Sequence, residues 1–219
     1  MLELHHSRNP LQAIRSNLEL AMDFDLEPNE QAGYLDVVRR EIERLGEITR
    51  RVLNFAQPAD DTRYPVSIAR LTQKTLGLID KQLELAHIRA TTDFPADLPP
   101  VSAAPHQIVQ VLLNLSVNAI EAMPEGGHLH ITARVDGDAV TIVLSNSGPP
   151  IPSRDIKCIF DPFFTTKPGG TGTGLTISHN IVHWHGGTIS AKNLEGGQGV
   201  AFTVTLPIAH VVRLQETFT

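Results

Sequence analysis

The sequence predicts an α+β protein. An N-terminal helical hairpin forms a dimeric four-helix bundle, and an α/β sandwich follows it. Three observations carry this reading. Up to Ala56 apolar residues recur at steps of three, four and seven, the spacing of one helical face. Gln57 to Pro65 then holds Pro58, Asp60, Asp61 and Pro65, the composition of a linker. Beyond it strand-like and helix-like patterns intermix, as expected of one mixed sheet with helices on one face. The expected organisation is therefore a hairpin over 1–57, a linker over 58–65, a second domain over 66–208 and a tail over 209–219.

In the first arm of the hairpin Leu4, Leu11, Ile14, Leu18 and Ala21 share a face. Asp23 to Glu30, with Pro28 and Asn29, reads as a turn. The second arm runs from about Gln31 to Ala56, with Val38, Ile42, Leu45, Thr49, Val52 and Phe55 as its stripe. Two helices alone bury little apolar surface. The stripes predict either a second copy of the chain, giving a homodimer, or packing against the rest of the same chain.

In the second domain a helix is expected from about Ile68 to His87, then short strands at Thr91–Phe94 and Val101–Ala103. A helix follows over Pro105–Met123, with proline in its first turn, where the missing N–H is not needed. Strands His128–Val135 and Ala139–Ser145 are joined through Asp136-Gly137-Asp138. A helix over Gly174–His185 and strands Thr188–Ala191 and Ala201–Leu206 complete it.

Hydrophobic residues at 41% and charged residues at 19% are ordinary for a soluble globular chain. A net charge of −6 counts against nucleic-acid binding through a basic surface. Cys158 is the only cysteine, so no internal disulfide forms, which fits a reducing cytoplasm. No apolar run approaches the roughly 20 residues of a membrane span, so no direct membrane contact is expected. Met1 stands directly before a motif that reads as mid-helix, the look of a fragment whose parent is soluble or membrane-anchored.

Three segments carry chemistry. In the first, Asn114, Asn118 and Glu121 stand at i, i+4 and i+7 on one helical face, opposite Ile108, Leu112, Leu115 and Ile120. Paired carboxamides coordinate a hard cation through oxygen and donate to phosphate through nitrogen, although surface amides give the same pattern. In the second, Asn146 ends a strand before Ser147-Gly148-Pro149-Pro150-Ile151. Its carbonyl suits an adenine amine, and Gly148 lets backbone approach the base. The third holds Phe160, Phe163 and Phe164, then Thr166 and Lys167, then Gly170-Thr171-Gly172-Thr173-Gly174-Leu175 opening a helix. Alternating glycines let N–H groups face phosphate oxygens at a positive helix end, as in a lid. The spacing is neither a P-loop nor a Rossmann fingerprint.

These segments, in this order and behind His5-His6-Ser7-Arg8-Asn9-Pro10-Leu11, resemble the sensor histidine kinases of two-component signalling. The resemblance covers nearly the whole chain. It implies a dimerisation and histidine-phosphotransfer hairpin followed by an ATP-binding domain of the Bergerat (GHKL) fold. It implies ATP and Mg²⁺ as cofactors, autophosphorylation of a histidine, and transfer to an aspartate on the receiver domain of a response regulator. Asn118 would be the principal magnesium ligand, with Asn114 in support. Asn146, Gly148 and Ile151 would lie at the base, and Lys167 with the Gly170–Leu175 backbone at the phosphates. The family usually has Asp at the position of Asn146, glycine at Pro150 and leucine at Thr173.

Of the adjacent pair, Pro10 selects His5, because the family's acceptor stands five residues before that proline. The family's next residue is acidic and serves as base. Here it is His6, which accepts a proton when neutral but brings no standing negative charge, so slower autophosphorylation is expected. Asn9 is where relatives orient water for dephosphorylating the regulator. Alternatives are a phosphotransfer protein with a decayed ATP domain, an ATPase without phosphotransfer, and an enzyme acting chiefly as regulator phosphatase.

Overall fold

The computed structural model describes residues 10–22, 29–42, 62–167, 170–197 and 199–209. The chain divides into two compact units, Met1–Asp61 and Thr62–Thr219.

In the first unit, α1 is Pro10–Ala21 and α2 spans 29–42. Ala21 and Val38 are buried. The Gln31 side chain donates to Ala21 O at 2.8 Å, so α2 caps a carbonyl that the end of α1 leaves unpaired. Leu18, Leu35 and Ile42 remain exposed. Asn29 and Glu30, expected in the turn, belong to α2. The rest of the expected turn and second arm, over 23–28 and 43–56, lies outside the described residues. On the outer face Arg39 binds Asp36 at 2.6 Å. The Arg39 hydrogen bond, against an opposing effect of desolvation and helped by the charges of Arg39 and Arg40, holds the Asp36 carboxyl below its ordinary value.

The second unit runs β1 (Tyr64–Val66), α3 (Ile68–Leu85), β2 (Ile88–Asp93), β3 (Val101–Ala103), α4 (Pro105–Glu121), β4 (Gly127–Asp136), β5 (Ala139–Asn146), α5 (Gly174–Trp184), β6 (Thr188–Asn193) and β7 (Val200–Pro207). Five strands form a sheet in the order β2-β4-β5-β7-β6. Only β2 and β4 run parallel, and α4 lies on the connection between them. This is the mixed sheet expected from the sequence.

Alternation decides the faces. Leu129, Ile131 and Ala133, then Val140, Ile142 and Leu144, then Val200, Phe202, Val204 and Leu206 are buried in one core with α3, α4 and α5. The other face is polar: His130, Thr132 and Arg134 on β4, Thr203 and Thr205 on β7, Ser190 and Lys192 on β6. Gly187 lets the turn into β6 pass close to β7, since a Cβ there would lie 2.0 Å from Thr205 O.

Most element ends differ from the sequence reading by a residue or two, and three differences change where a segment belongs. Tyr64 and Pro65, expected in the linker, form β1 and pair with Ala103 and Ser102. Proline is tolerated there because β1 is an edge strand. Strand β2 starts at Ile88 rather than Thr91, because His87 turns out of α3 at φ 54 and frees the next residues to pair with β4. At the far end Ala209, expected as the first residue of the tail, is buried and donates to Pro100 O at 2.9 Å.

Ala104 precedes the first residue of α4 as its N-cap and makes no side-chain cap of its own. The Ala104 N–H is taken instead by His185 Nε2 at 3.0 Å, while His185 Nδ1 donates to Ile181 O at 2.7 Å. This pattern fixes the neutral tautomer with its proton on Nδ1. One buried imidazole therefore joins the C-terminus of α5 to the N-terminus of α4.

Candidate nucleotide site

Helix α4 buries Ile108, Leu112, Leu115 and Ala119 and turns Asn114, Asn118 and Glu121 the other way. These three meet the glycine-rich segment. Asn118 Oδ1 accepts from Lys167 Nζ at 3.3 Å, and Glu121 Oε2 pairs with the same ammonium. Asn114 Nδ2 donates to Gly174 O at 3.0 Å and to Ser178 Oγ at 3.2 Å, tying α4 to the start of α5. Only its carbonyl oxygen is left to offer a cation.

The donor set fits magnesium. Hard oxygens, an amide and a carboxylate, already converge on one cation, the Lys167 ammonium. The Lys167–Glu121 pair is 41% and 49% exposed, so it is worth about 1 kcal/mol or less. A polyphosphate has enough charge to displace it.

Between Phe160 and Leu175 the chain is shaped by close backbone packing. Gly172 has φ +63°, and a Cβ there would stand 2.3 Å from the carbonyl carbon of Phe163. Thr165 Oγ1 accepts from Lys167 N at 3.1 Å, and Gly170 N closes a turn onto Lys167 O. Thr166 is exposed beside them. Thr176 Oγ1 donates to Phe160 O and Asp161 O, anchoring the segment to α5. Phe160, Phe164 and Leu175 pack on the core, whereas Phe163 is 77% exposed. Thr171 and Thr173 hydroxyls meet at 3.1 Å, and Thr173 places no side-chain cap on the first turn of α5. That helix end is therefore not claimed by its own cap residue.

Asn146 ends β5 on the helix-covered face and is buried. Its Oδ1 accepts from Gly148 N at 3.0 Å, which fixes the amide with Nδ2 as its second end. A Cβ on Gly148 would lie 2.9 Å from Ala122 O, so the loop sits directly on the end of α4. Ile151 packs on the core from the same loop. Lys167 thus links Asn118 and Glu121, Asn114 binds Gly174 one turn earlier on the same helix, and Asn146 with Gly148 lies at the C-terminal end of that helix. A cavity of about 380 Å³ lined by Tyr64, Arg70, Leu71, Lys74 and Pro105 is elsewhere. It opens at the N-terminal end of α4, about 20 Å along the helix from Asn118 at 1.5 Å per residue. His5, His6 and Asn9 lie outside the described residues.

The family model for histidine kinase-, DNA gyrase B- and HSP90-like ATPases matches residues 103–210. That for the His kinase A phospho-acceptor domain matches residues 4–61. The catalytic domain of histidine kinase ThkA is 36% identical, with a TM-score of 0.62, over 67% of this chain and 95% of that one. The chain belongs to the histidine kinase family. ThkA in complex with response regulator TrrA matches this chain over 92% of its length and 58% of the ThkA chain, at 30% identity and a TM-score of 0.74. Among curated relatives, sensor histidine kinase ZraS of Escherichia coli O157:H7 is 34% identical over 93% of this chain and 44% of that protein. Sporulation kinase E of Bacillus subtilis is 33% identical over 93% and 27%. This kinase chain therefore spans less than half the length of those relatives. Among the described residues no helix is long and apolar enough to cross a membrane.

Sequence reasoning missed His185, Ser178, Thr176 and Asn193 as parts of this framework. Asn193 binds Ile151 through both of its amide atoms. The only signal for it was a polar residue closing a strand otherwise rich in small and β-branched residues.

Proposed function

We propose that this chain is the core of an ATP-dependent protein-histidine kinase that phosphorylates its own His5 and passes the phosphoryl group to an aspartate of a response regulator. The observation that carries the reading is the convergence of Asn118, Glu121 and Lys167 at one point beside the glycine-shaped segment. In this reading a neutral imidazole nitrogen of His5 attacks the γ-phosphorus. The N–P bond forms as the bond to the β,γ-bridging oxygen breaks, ADP leaves, and the ring proton passes to a base, here His6. Asn118, with Asn114 and Glu121, would hold magnesium, which when bound neutralises phosphate charge. Lys167, released from Glu121, would pair with the phosphates, together with N–H groups of Gly170–Leu175. Asn146, Gly148 and Ile151 would line the base, with Phe160 and Thr166 flanking. Asn9 would orient water for dephosphorylating the regulator, where the bond from phosphorus to the aspartate oxygen breaks and inorganic phosphate leaves.

The exposed Leu18, Leu35 and Ile42 support a homodimer through the hairpin. Domain limits of 1–57 and 66–208, extended to include Tyr64, Pro65 and Ala209, are part of the same proposal, as is a cytoplasmic setting where ATP is the donor. The test is incubation with γ-labelled ATP and magnesium. Acid-labile label should persist in His6→Ala at a reduced rate and vanish in His5→Ala. Equal labelling of native chain and His5→Ala would overturn the assignment.

A further inference from the structure

The segment Gly148-Pro149-Pro150-Ile151-Pro152 carries three prolines. Proline fixes φ and has no N–H. Between residues 149 and 152 the Ile151 N–H is therefore the only backbone donor, and Ile151 is the only residue with a free φ. That single residue is gripped from across the sheet. Asn193 Oδ1 accepts from Ile151 N at 2.8 Å, and Asn193 Nδ2 donates to Ile151 O at 2.8 Å. The carboxamide thus behaves as one peptide unit of an adjoining strand, meeting both polar groups of the residue it faces.

The register explains how it reaches. Leu129, Asn146, Val200 and Asn193 form one cross-strand row through β4, β5, β7 and β6. Residues directly opposite in a sheet share a face, so the Asn146 and Asn193 side chains rise from the same face, two strands apart. Asn146 takes the Gly148 N–H at one end of the loop, and Asn193 takes Ile151 at the other. Gly199 belongs to the same arrangement. A Cβ there would lie 2.4 Å from Asn146 O, so the hairpin end that carries Asn193 is drawn tightly against β5.

We infer that Asn193 is a positioning residue of the nucleotide site, whose carboxamide presets the Gly148–Pro152 wall before nucleotide arrives. It substitutes for the conformational adjustment that a glycine at Pro150 would allow. The inference rests on the nucleotide reading of that wall. Its effect is on affinity rather than on the chemical step, because Asn193 touches no reacting group. Freeing one backbone residue that binding must then order weakens affinity by about tenfold.

Two measurements on the full chain test this separately. The first is hydrogen exchange of the Ile151 amide without nucleotide. It should be strongly protected in the native chain and exchange at least about tenfold faster in Asn193→Ala; an unprotected native Ile151 amide overturns the preset wall whatever the chain binds. The second is autophosphorylation against MgATP concentration. Asn193→Ala should raise KM about tenfold and leave kcat within about twofold, while Lys192→Ala, on the opposite face of the same strand, changes neither. Unchanged KM in Asn193→Ala, or an equal fall in kcat and kcat/KM, overturns the positioning role. If Asn193→Ala does not fold, Asn193→Asp carries the test. It keeps the acceptor for Ile151 N–H and loses the donor, so KM should rise by about threefold, and native KM would overturn the role. A native chain that neither binds nor uses ATP sinks the function reading instead, and the exchange result stands apart from it.

Discussion

Replacing His185 by Phe removes the bonds of both ring nitrogens, at Ala104 N–H and at Ile181 O, and the cost can be sized from what each partner keeps. His185 and Ala104 are 3% and 1% exposed, so neither reaches water. Phenylalanine keeps the aromatic volume, and Ile181 O keeps the backbone N–H of residue 185 as a partner at 3.1 Å. What remains is the Ala104 N–H, buried without an acceptor, at a cost of about 1–3 kcal/mol. With about 2 kcal/mol as the central value, a domain of this size should melt about 4–8 °C lower. Trp184, the sole tryptophan, precedes His185 in sequence. Its fluorescence during urea unfolding reports the second unit without assuming that the whole chain unfolds in one step. His185→Gln can offer an oxygen to Ala104 and should recover part of the loss. A His185→Phe midpoint within about 0.5 kcal/mol of native, or a Gln variant less stable than Phe, would refute the reasoning.

Asn118→Ala should weaken nucleotide binding by about tenfold or more and make the residual binding indifferent to EDTA; calorimetry with and without chelator checks both. Asn146→Asp should raise the preference for ATP over ITP by about tenfold, because the amide nitrogen now held opposite Gly148 N–H becomes an acceptor for the 6-amino group; competition binding with the two nucleotides measures it. Glu121→Gln should weaken magnesium-dependent nucleotide binding by about fivefold, because it trades a carboxylate at the cation position for an amide, and EDTA should remove the difference between variant and native chain. The Asp36 carboxyl is held low in the folded chain, so its contribution to stability is complete above the unfolded value of about 3.9 and drains away as pH falls through the lower folded one. Carbon-detected NMR titration should place it below a free aspartate, and Arg39→Ala should bring it back.

Strand β4 and most of β7 were legible because hydropathy alternates with the pleat, as in Leu129-His130-Ile131-Thr132 and Phe202-Thr203-Val204-Thr205. α4 was legible for the parallel reason at a period of 3.6, and its polar stripe announced Asn114, Asn118 and Glu121 together. β1 was not, since three residues with a proline among them carry no period. The start of β2 was hidden because α3 stops at a histidine in left-handed conformation, where a glycine would have marked the break. Asn193 and His185 were invisible for a different reason. Their partners lie 42 and 81 residues away in sequence, and no local pattern encodes such a pairing.

The last of the described strands, Val200–Pro207, is not at an edge but in the interior of the sheet, between β5 and β6. Until it is inserted, the backbone of Thr188–Asn193 lacks the one described strand it pairs with. A polypeptide still being synthesised can therefore stack its earlier strands and helices, yet it lacks one wall of the future nucleotide cleft. Shortening the chain from its C-terminal side should accordingly cost ligand capture in a single step, well before the remaining framework is lost.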